Sequence, residues 1–357
     1  MNSYYQNLYN KKFSHIYIEE SLLNHPKTNE IIAKFLDARI IHINHYKDVF
    51  CRSRQNFYMQ KQSPKLILAN NRNNLIYEGA PVCQNFGNQH FYYTSCAMNC
   101  LYDCEYCYLQ GMYPSANIVL FINIEDVFAQ VEELLMKHPV YLCISYDTDL
   151  LALEGILGYV RRWIEFAQLH PDLTIEIRTK SANFAAIKDL TPSKNVVLAW
   201  TLSPDEVVSN YEHKTPSLNT RLKSILEAIG CGYLVRLCFD PLIYVQNFEE
   251  VYDNFIKTVF TTIPCEQLYD VSVGVFRVSV DYLKRMRKQR PHSAVIQYPY
   301  EQTAGVSHYG HEQSNRMISY LCDLLAQYIP KDKIFCWRDE EEGSLKKDED
   351  CNCYWCI

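Results

Sequence analysis

No stretch of the sequence reaches the roughly 18 uninterrupted apolar residues that a membrane-spanning helix needs. The first residues, MNSYYQNLYNKKF, carry no apolar core, so no export signal is expected. Neither GxGxxG nor GxxxxGK followed by Ser or Thr occurs, which disfavours a dinucleotide-binding or P-loop enzyme. No internal repeat is evident. A basic excess is missing as well: the formal net charge is −6, which argues mildly against a nucleic-acid binder. A disulfide framework is a poor reading of 15 cysteines, an odd number, in a long chain without an export signal. Reduced thiols in a cytoplasmic setting, some of them bound to metal, fit better.

What remains is a globular protein of 357 residues, 48% hydrophobic and 21% charged, long enough for one large domain or two small ones. Residues 1–89 are mixed, with a helix and strand in NEIIAKFLDARIIHI and short strands in PKLILAN and NLIYEGA, and they read as an N-terminal α/β extension. From residue 90 the pattern is regular. HFYYTS (90–95) is a strand, and EDVFAQVEELLMKHP a helix with Val127, Phe128, Val131, Leu134 and Leu135 on one face. VYLCIS (140–145) is a strand, 150–171 a helix, LTIEIRT (173–179) a strand and SANFAAIKDL (181–190) a helix. NVVLAWTLS, YLVRLCFDPLI and YDVSVGVFRVS supply three more strands, with helices over 217–232 and 247–260 between them. Six strand–helix units imply a parallel sheet, and six fall short of the eight that close a barrel. The expected fold is a partial (β/α)6 barrel over residues 90–325, followed by a Cys-rich acidic tail over 326–357.

The densest chemistry is CLYDCEYCY at residues 100–108, with Cys100, Cys104 and Cys107 at spacings of four and three. A structural zinc site commonly takes four ligands in two separated pairs, and this loop offers three thiols in eight residues. Three thiolates can anchor three irons of a [4Fe–4S] cluster and leave the fourth open to a small ligand. A zinc knuckle or unliganded thiols are the alternatives. The loop follows a strand, which puts it at the carboxyl face of the sheet, where such barrels keep their sites.

CxxxCxxC with an aromatic before the last cysteine resembles the signature of radical S-adenosylmethionine (SAM) enzymes. Within that group the chain resembles the spore photoproduct lyase family over roughly residues 65–320. The similarity rests on CEYCYLQG, on WTLSPDEVVSNYEHKTPSLNTRL (200–222) with Asn210, Tyr211, Glu212, Thr215 and Arg221, on RTK (178–180), on FRVSVDYLKRMRKQRP (276–291) and on HYGHE (308–312). The resemblance implies a lyase that repairs the ultraviolet-induced thymine dimer of spore DNA. SAM bound at the open iron would be cleaved to a 5′-deoxyadenosyl radical, which takes hydrogen from the dimer, and a cysteine would return a hydrogen atom to the product. Partners implied are damaged DNA and a small reductant protein such as a flavodoxin or ferredoxin. The alternatives are a paralogue that uses the same radical on another substrate, and a redox-sensing metal or cluster module.

By the same resemblance Tyr106 packs on the SAM adenine and Tyr108 passes hydrogen along, with plain aromatic packing as the alternative for both. Cys143 is the hydrogen donor when the segment is aligned from its left; aligned from the following helix, Tyr146 takes that place. A buried strand cysteine is also common as a small hydrophobe. Ser145, Lys180, Thr201 and Ser203, all at strand ends, are candidates to hold SAM, Lys180 first because a cation suits a carboxylate. Arg277 and Tyr309 are the substrate-binding candidates. The basic run Lys284, Arg285, Arg287, Lys288 and Arg290 is either a phosphate contact or a solvated helix face. Cys336, Cys351, Cys353 and Cys356 could bind a second cluster or zinc. Cys96, four residues before Cys100, lacks a partner at 103 and stays outside the motif.

Overall fold

A computed structural model of the chain describes residues 13–72, 74–79 and 83–336. In chain order its strands are β1 (His15–Glu19), β2 (Arg39–Ile43), β3 (Leu66–Ala69), β4 (Ile76–Glu78), β5 (Phe91–Thr94), β6 (Ala97–Met98), β7 (Asp103–Cys104), β8 (Ile118–Phe121) and β9 (Val140–Cys143). They continue with β10 (Leu173–Thr179), β11 (Val196–Thr201), β12 (Glu212–His213), β13 (Leu234–Leu242), β14 (Asp270–Val275), β15 (Val278–Ser279), β16 (Glu301–Thr303), β17 (Val306–His308) and β18 (Ile334–Cys336).

Continuous apolar runs such as VVLAWT are buried at every position, as strands of a parallel sheet covered on both faces should be. The main sheet runs β18–β14–β13–β11–β10–β9–β5–β4. The six strands expected from the sequence are neighbours in chain order and all parallel. β18 adds a parallel edge and β4 an antiparallel one, so the sheet keeps two edges and does not close. This is the partial barrel. Its interior holds a fully paired charge cluster: Arg236, 1% exposed, donates to both carboxylate oxygens of Asp270, to Glu176 and to the Tyr141 hydroxyl.

A second sheet, β2–β1–β3–β8–β6, joins the N-terminal region to the core. β8 lies beyond residue 90 and pairs with β3 in parallel register, Leu66 opposite Ile118, while β4 lies before residue 90 and belongs to the main sheet. Both sheets therefore cross the boundary drawn at residue 89.

Two helices depart from expectation. Residues 181–190 hold only a short 3-10 turn at Phe184–Ala186. Ser181 Oγ accepts the Asn183 amide and Asn183 Nδ2 reaches the Leu151 carbonyl, local bonds that compete with helix formation. The expected helix over 150–171 is split at Gly158, which adopts φ +68°. The Glu154 carboxylate then accepts the Val160 and Arg161 amides and starts Tyr159–Leu169 afresh. Among the described residues no helix is long and apolar enough to cross a membrane. Cys351, Cys353 and Cys356 lie outside the described residues; Cys336 is half-buried in β18.

Candidate functional site

The cysteine loop is built by a chain reversal. Asn99 adopts φ +68°, a conformation that asparagine tolerates, and its buried amide donates to the Ser115 and Asn117 carbonyls at 2.8 and 2.7 Å. The loop's own carbonyls are gathered by one side chain. Gln110 Nε2 donates to the Cys104, Glu105 and Cys107 carbonyls, and Arg290 fixes that amide by donating to Gln110 Oε1 at 3.1 Å. The same guanidinium pairs with Asp103 in the loop. Arg285 donates to the Gly111 carbonyl, and Arg287 to those of Ile296 and Tyr298. The basic run is thus neither a solvated face nor a free phosphate contact at these three positions. It braces the cysteine loop and the turn beside it.

The far side of the loop is tied down by β12, which pairs antiparallel with β7 so that Glu212 stands opposite Cys104. This delivers a fully buried carboxylate to the loop. Glu212 accepts from Arg221, from the Tyr106 hydroxyl and from Ser203 Oγ at 2.9 Å, with Lys180 Nζ at 3.3 Å. Burial pushes its pKa up, but Arg221 and Lys180 overcome that and hold it down to about 2. Lys180 Nζ also lies 2.8 Å from the Tyr106 hydroxyl and 3.8 Å from Cys104 Sγ.

Cys104, Tyr106, Lys180 and Ser203 therefore meet at one buried carboxylate. Thr201 contributes its carbonyl, which accepts Arg221 Nη1 at 3.1 Å. Ser145 stands apart: its hydroxyl accepts the Arg178 amide and donates to the Arg178 carbonyl, both at 2.9 Å.

Burial raises the Cys100 and Cys107 thiols to about 11 and Cys104 to about 12. Each also feels another of the three, and Lys180 pulls Cys104 down. Among the described residues no three His, Cys, Asp or Glu side chains converge as ligands of a single ion. The ligands of a cubane each take a different iron and need no such convergence. Three thiols on one loop, Cys104 buried and Cys100 and Cys107 half-buried, with the Lys180 ammonium at the Cys104 sulfur and the Lys61 ammonium at the Cys100 carbonyl, fit a thiolate-bound cluster, since metal binding strips the thiol protons and leaves anions to be balanced. Cys96 lies buried elsewhere in the core, beside Trp163.

Cys143, half-buried at the end of β9, stands between Tyr93 and Glu176 in register. Burial holds its thiol well above the ordinary range. Tyr108 donates to the Tyr146 carbonyl at 3.0 Å. The Tyr146 ring stacks on Tyr93 at 4.2 Å, and its hydroxyl lies 3.4 Å from Cys83 Sγ. Cys83 is a residue for which no spacing in the sequence offered a signal. Arg277 and Tyr309 flank a small hairpin sheet in which β15 pairs with β17. Tyr309, 5% exposed, accepts the Tyr244 amide at 3.0 Å within a cluster of tyrosines that includes Tyr298 and Tyr300.

Fold and site together define a class: an open α/β barrel that presents a three-cysteine loop at the carboxyl ends of its parallel strands. The family model described as spore photoproduct lyase matches residues 12–310, and the chain belongs to that family. Among curated relatives, a spore photoproduct lyase of Clostridium acetobutylicum is 23% identical over 164 residues, covering 44% of this chain and 48% of its own. One of Bacillus subtilis is 22% identical over 213 residues, covering 58% and 59%. The chain thus spans about half of the first relative's length and under two thirds of the second's. A solved spore photoproduct lyase complexed with dinucleoside spore photoproduct superposes with a TM-score of 0.76 at 17% identity, over 92% of this chain and 99% of that one. A mutant form with bound AdoMet and the same dinucleoside matches equally, at 0.76. These superpositions speak for the fold.

Proposed function

We propose that the protein is a radical SAM lyase that repairs the ultraviolet-induced thymine dimer known as spore photoproduct. The observation that carries this reading is the loop of Cys100, Cys104 and Cys107 beside the buried Glu212 carboxylate, which gathers Lys180 and Tyr106 at Cys104. The three thiolates would hold a [4Fe–4S] cluster whose open iron takes SAM. When bound, this pair supplies a reducing electron and a 5′-deoxyadenosyl radical.

The chain's own residues do the rest. Lys180, already held at the loop by Glu212, supplies the cation for the SAM carboxylate, with Thr201 and Ser203 at the adjacent strand end. Tyr106 and Arg221 fix the Glu212 carboxylate so that Lys180 stays extended toward Cys104. Ser145 acts through the Arg178 backbone rather than by direct contact. Arg277 and Tyr309 present the lesion from the hairpin side, and Cys143 returns hydrogen to the product, with Tyr108 next in line. A flavodoxin- or ferredoxin-like reductant and a cytoplasmic setting complete the reading; the AdoMet and dinucleoside named for the solved relatives support the cofactor and the lesion class.

The test is anaerobic reconstitution with iron and sulfide, followed by SAM and dithionite. Formation of 5′-deoxyadenosine is expected, and its absence defeats the radical reading. Formation of 5′-deoxyadenosine without conversion of dinucleoside spore photoproduct to thymidine would assign the same chemistry to another substrate.

A further inference from the structure

Among the described residues, one buried cation at the cysteine loop has no carboxylate to balance it. Lys61 closes the helix Phe57–Gln62 in the N-terminal region and is only 6% exposed. Its ammonium donates to the Cys100 carbonyl at 2.6 Å and sits 5.9 Å from the Phe57 ring centroid. An ammonium has three N–H donors, and among the described residues no carboxylate lies within ion-pair distance of this one. The other cations of the loop are matched: Lys180 and Arg221 by Glu212, Arg290 by Asp103, and Lys214, which donates to the Lys61 carbonyl at 2.9 Å, by Asp103 at 3.8 Å.

Burying an unpaired ammonium is costly, and proteins ordinarily pair such a group. Its hydrogen bond places it on the backbone of Cys100, the first of the three cysteines proposed to hold the cluster. A loop carrying three thiolates and an iron–sulfur core gains one further negative charge on reduction. A fixed cation held on the Cys100 carbonyl stabilises the reduced form more than the oxidised one, and net local charge is among the factors that set cluster potentials.

We propose that Lys61 is a positioning residue for the cluster: it supplies the counter-charge for the cluster's thiolates, raises the cluster's midpoint potential, and ties the N-terminal helix Phe57–Gln62 to the loop through Cys100. The inference rests on the cluster reading given above. It also gives the N-terminal region a part in the electron-transfer step.

The experiment compares wild type with Lys61→Gln, Lys61→Met and Lys61→Arg after anaerobic reconstitution. Iron and sulfide content are measured, then the midpoint potential by electron paramagnetic resonance titration. Lys61→Gln and Lys61→Met should titrate at lower potential than wild type, and Lys61→Arg close to it. Variants that fold by circular dichroism but hold iron only when residue 61 is cationic would equally support the proposal. A loaded Lys61→Gln or Lys61→Met protein with the wild-type potential overturns it, as does a Lys61→Arg shift as large as that of Lys61→Gln. If wild type itself assembles no cluster, the functional reading fails and not this inference alone.

Discussion

At the scale of single residues, Glu212 is the most consequential group. It is one buried carboxylate serving two cations, a phenol and a hydroxyl. Replacing it by Gln leaves Arg221 and Lys180 buried without their counter-charge. Breaking a buried ion pair from one side costs ~3–5 kcal/mol, so Glu212→Gln should lower the unfolding free energy by that amount in a denaturant titration. The carboxylate also gives the protein a defined acid limit. Its folded pKa, about 2, lies below the ordinary 4.5, so the stability it adds is complete above pH 4.5 and is lost as pH falls toward 2. That component is ~3 kcal/mol by linkage, and acid titration of unfolding free energy in wild type and Glu212→Gln should differ by it.

For the hydrogen donor, Cys143→Ala should leave 5′-deoxyadenosine formation intact and depress recovery of thymine, whereas Cys83→Ala should leave both. Chromatography of the products decides, and the reverse pattern would move the role to Cys83, whose thiol touches Tyr146.

The sequence showed the three cysteines because their spacing is local. Glu212 was visible only by resemblance, as one of the matching residues of segment 200–222. Lys61, Gln110 and Arg290 were not visible as loop residues: Lys61 and Arg290 arrive from 39 and 187 positions away, and nothing in their local pattern marks a buried role.

At the scale of elements, the helix Val280–Gln289 was legible as basic but not as structural. It packs so closely on Leu109–Met112 that a Cβ on Gly111 would fall 2.6 Å from the Tyr282 carbonyl oxygen. Backbone cannot yield as a flexible side chain can. Gly111→Ala should therefore cost ~1–3 kcal/mol, typical of overpacking, and loosen the loop that Gln110 holds. A thermal melt together with iron retention against a chelator would measure both effects. A melt and retention equal to wild type would show that the two helices can separate freely.

Strands were read well because uninterrupted apolar runs have few alternatives in a covered parallel sheet. Helices were read worse where polar side chains bond locally, as Ser181 and Asn183 do, and where Glu154 caps a second helix after Gly158. β8 is a run of four apolar residues, Ile118–Phe121, between the cysteine loop and a helix, too short to mark itself as a strand of a second sheet.

At the scale of the molecule, the two sheets are interlocked. β8 is buried along its whole length and leans on β3, and β4 closes the edge of the main sheet beside β5. A fragment starting at residue 90 would expose the β8 edge to solvent and to other chains. It should be aggregated or lack cooperative unfolding by circular dichroism; a soluble, two-state fragment would establish the N-terminal region as a separable addition. The same interlock carries Lys61 to Cys100, so the region before residue 90 is part of the site's architecture.

The central claim is that this loop holds a cluster serving dimer repair. The most direct measurement is chromatographic: thymidine recovered from dinucleoside spore photoproduct by reconstituted protein with SAM and dithionite, beside Cys107→Ala. Repair by wild type and none by Cys107→Ala is the predicted result. Repair that survives in Cys107→Ala, or no repair by a fully loaded wild type, would contradict the account.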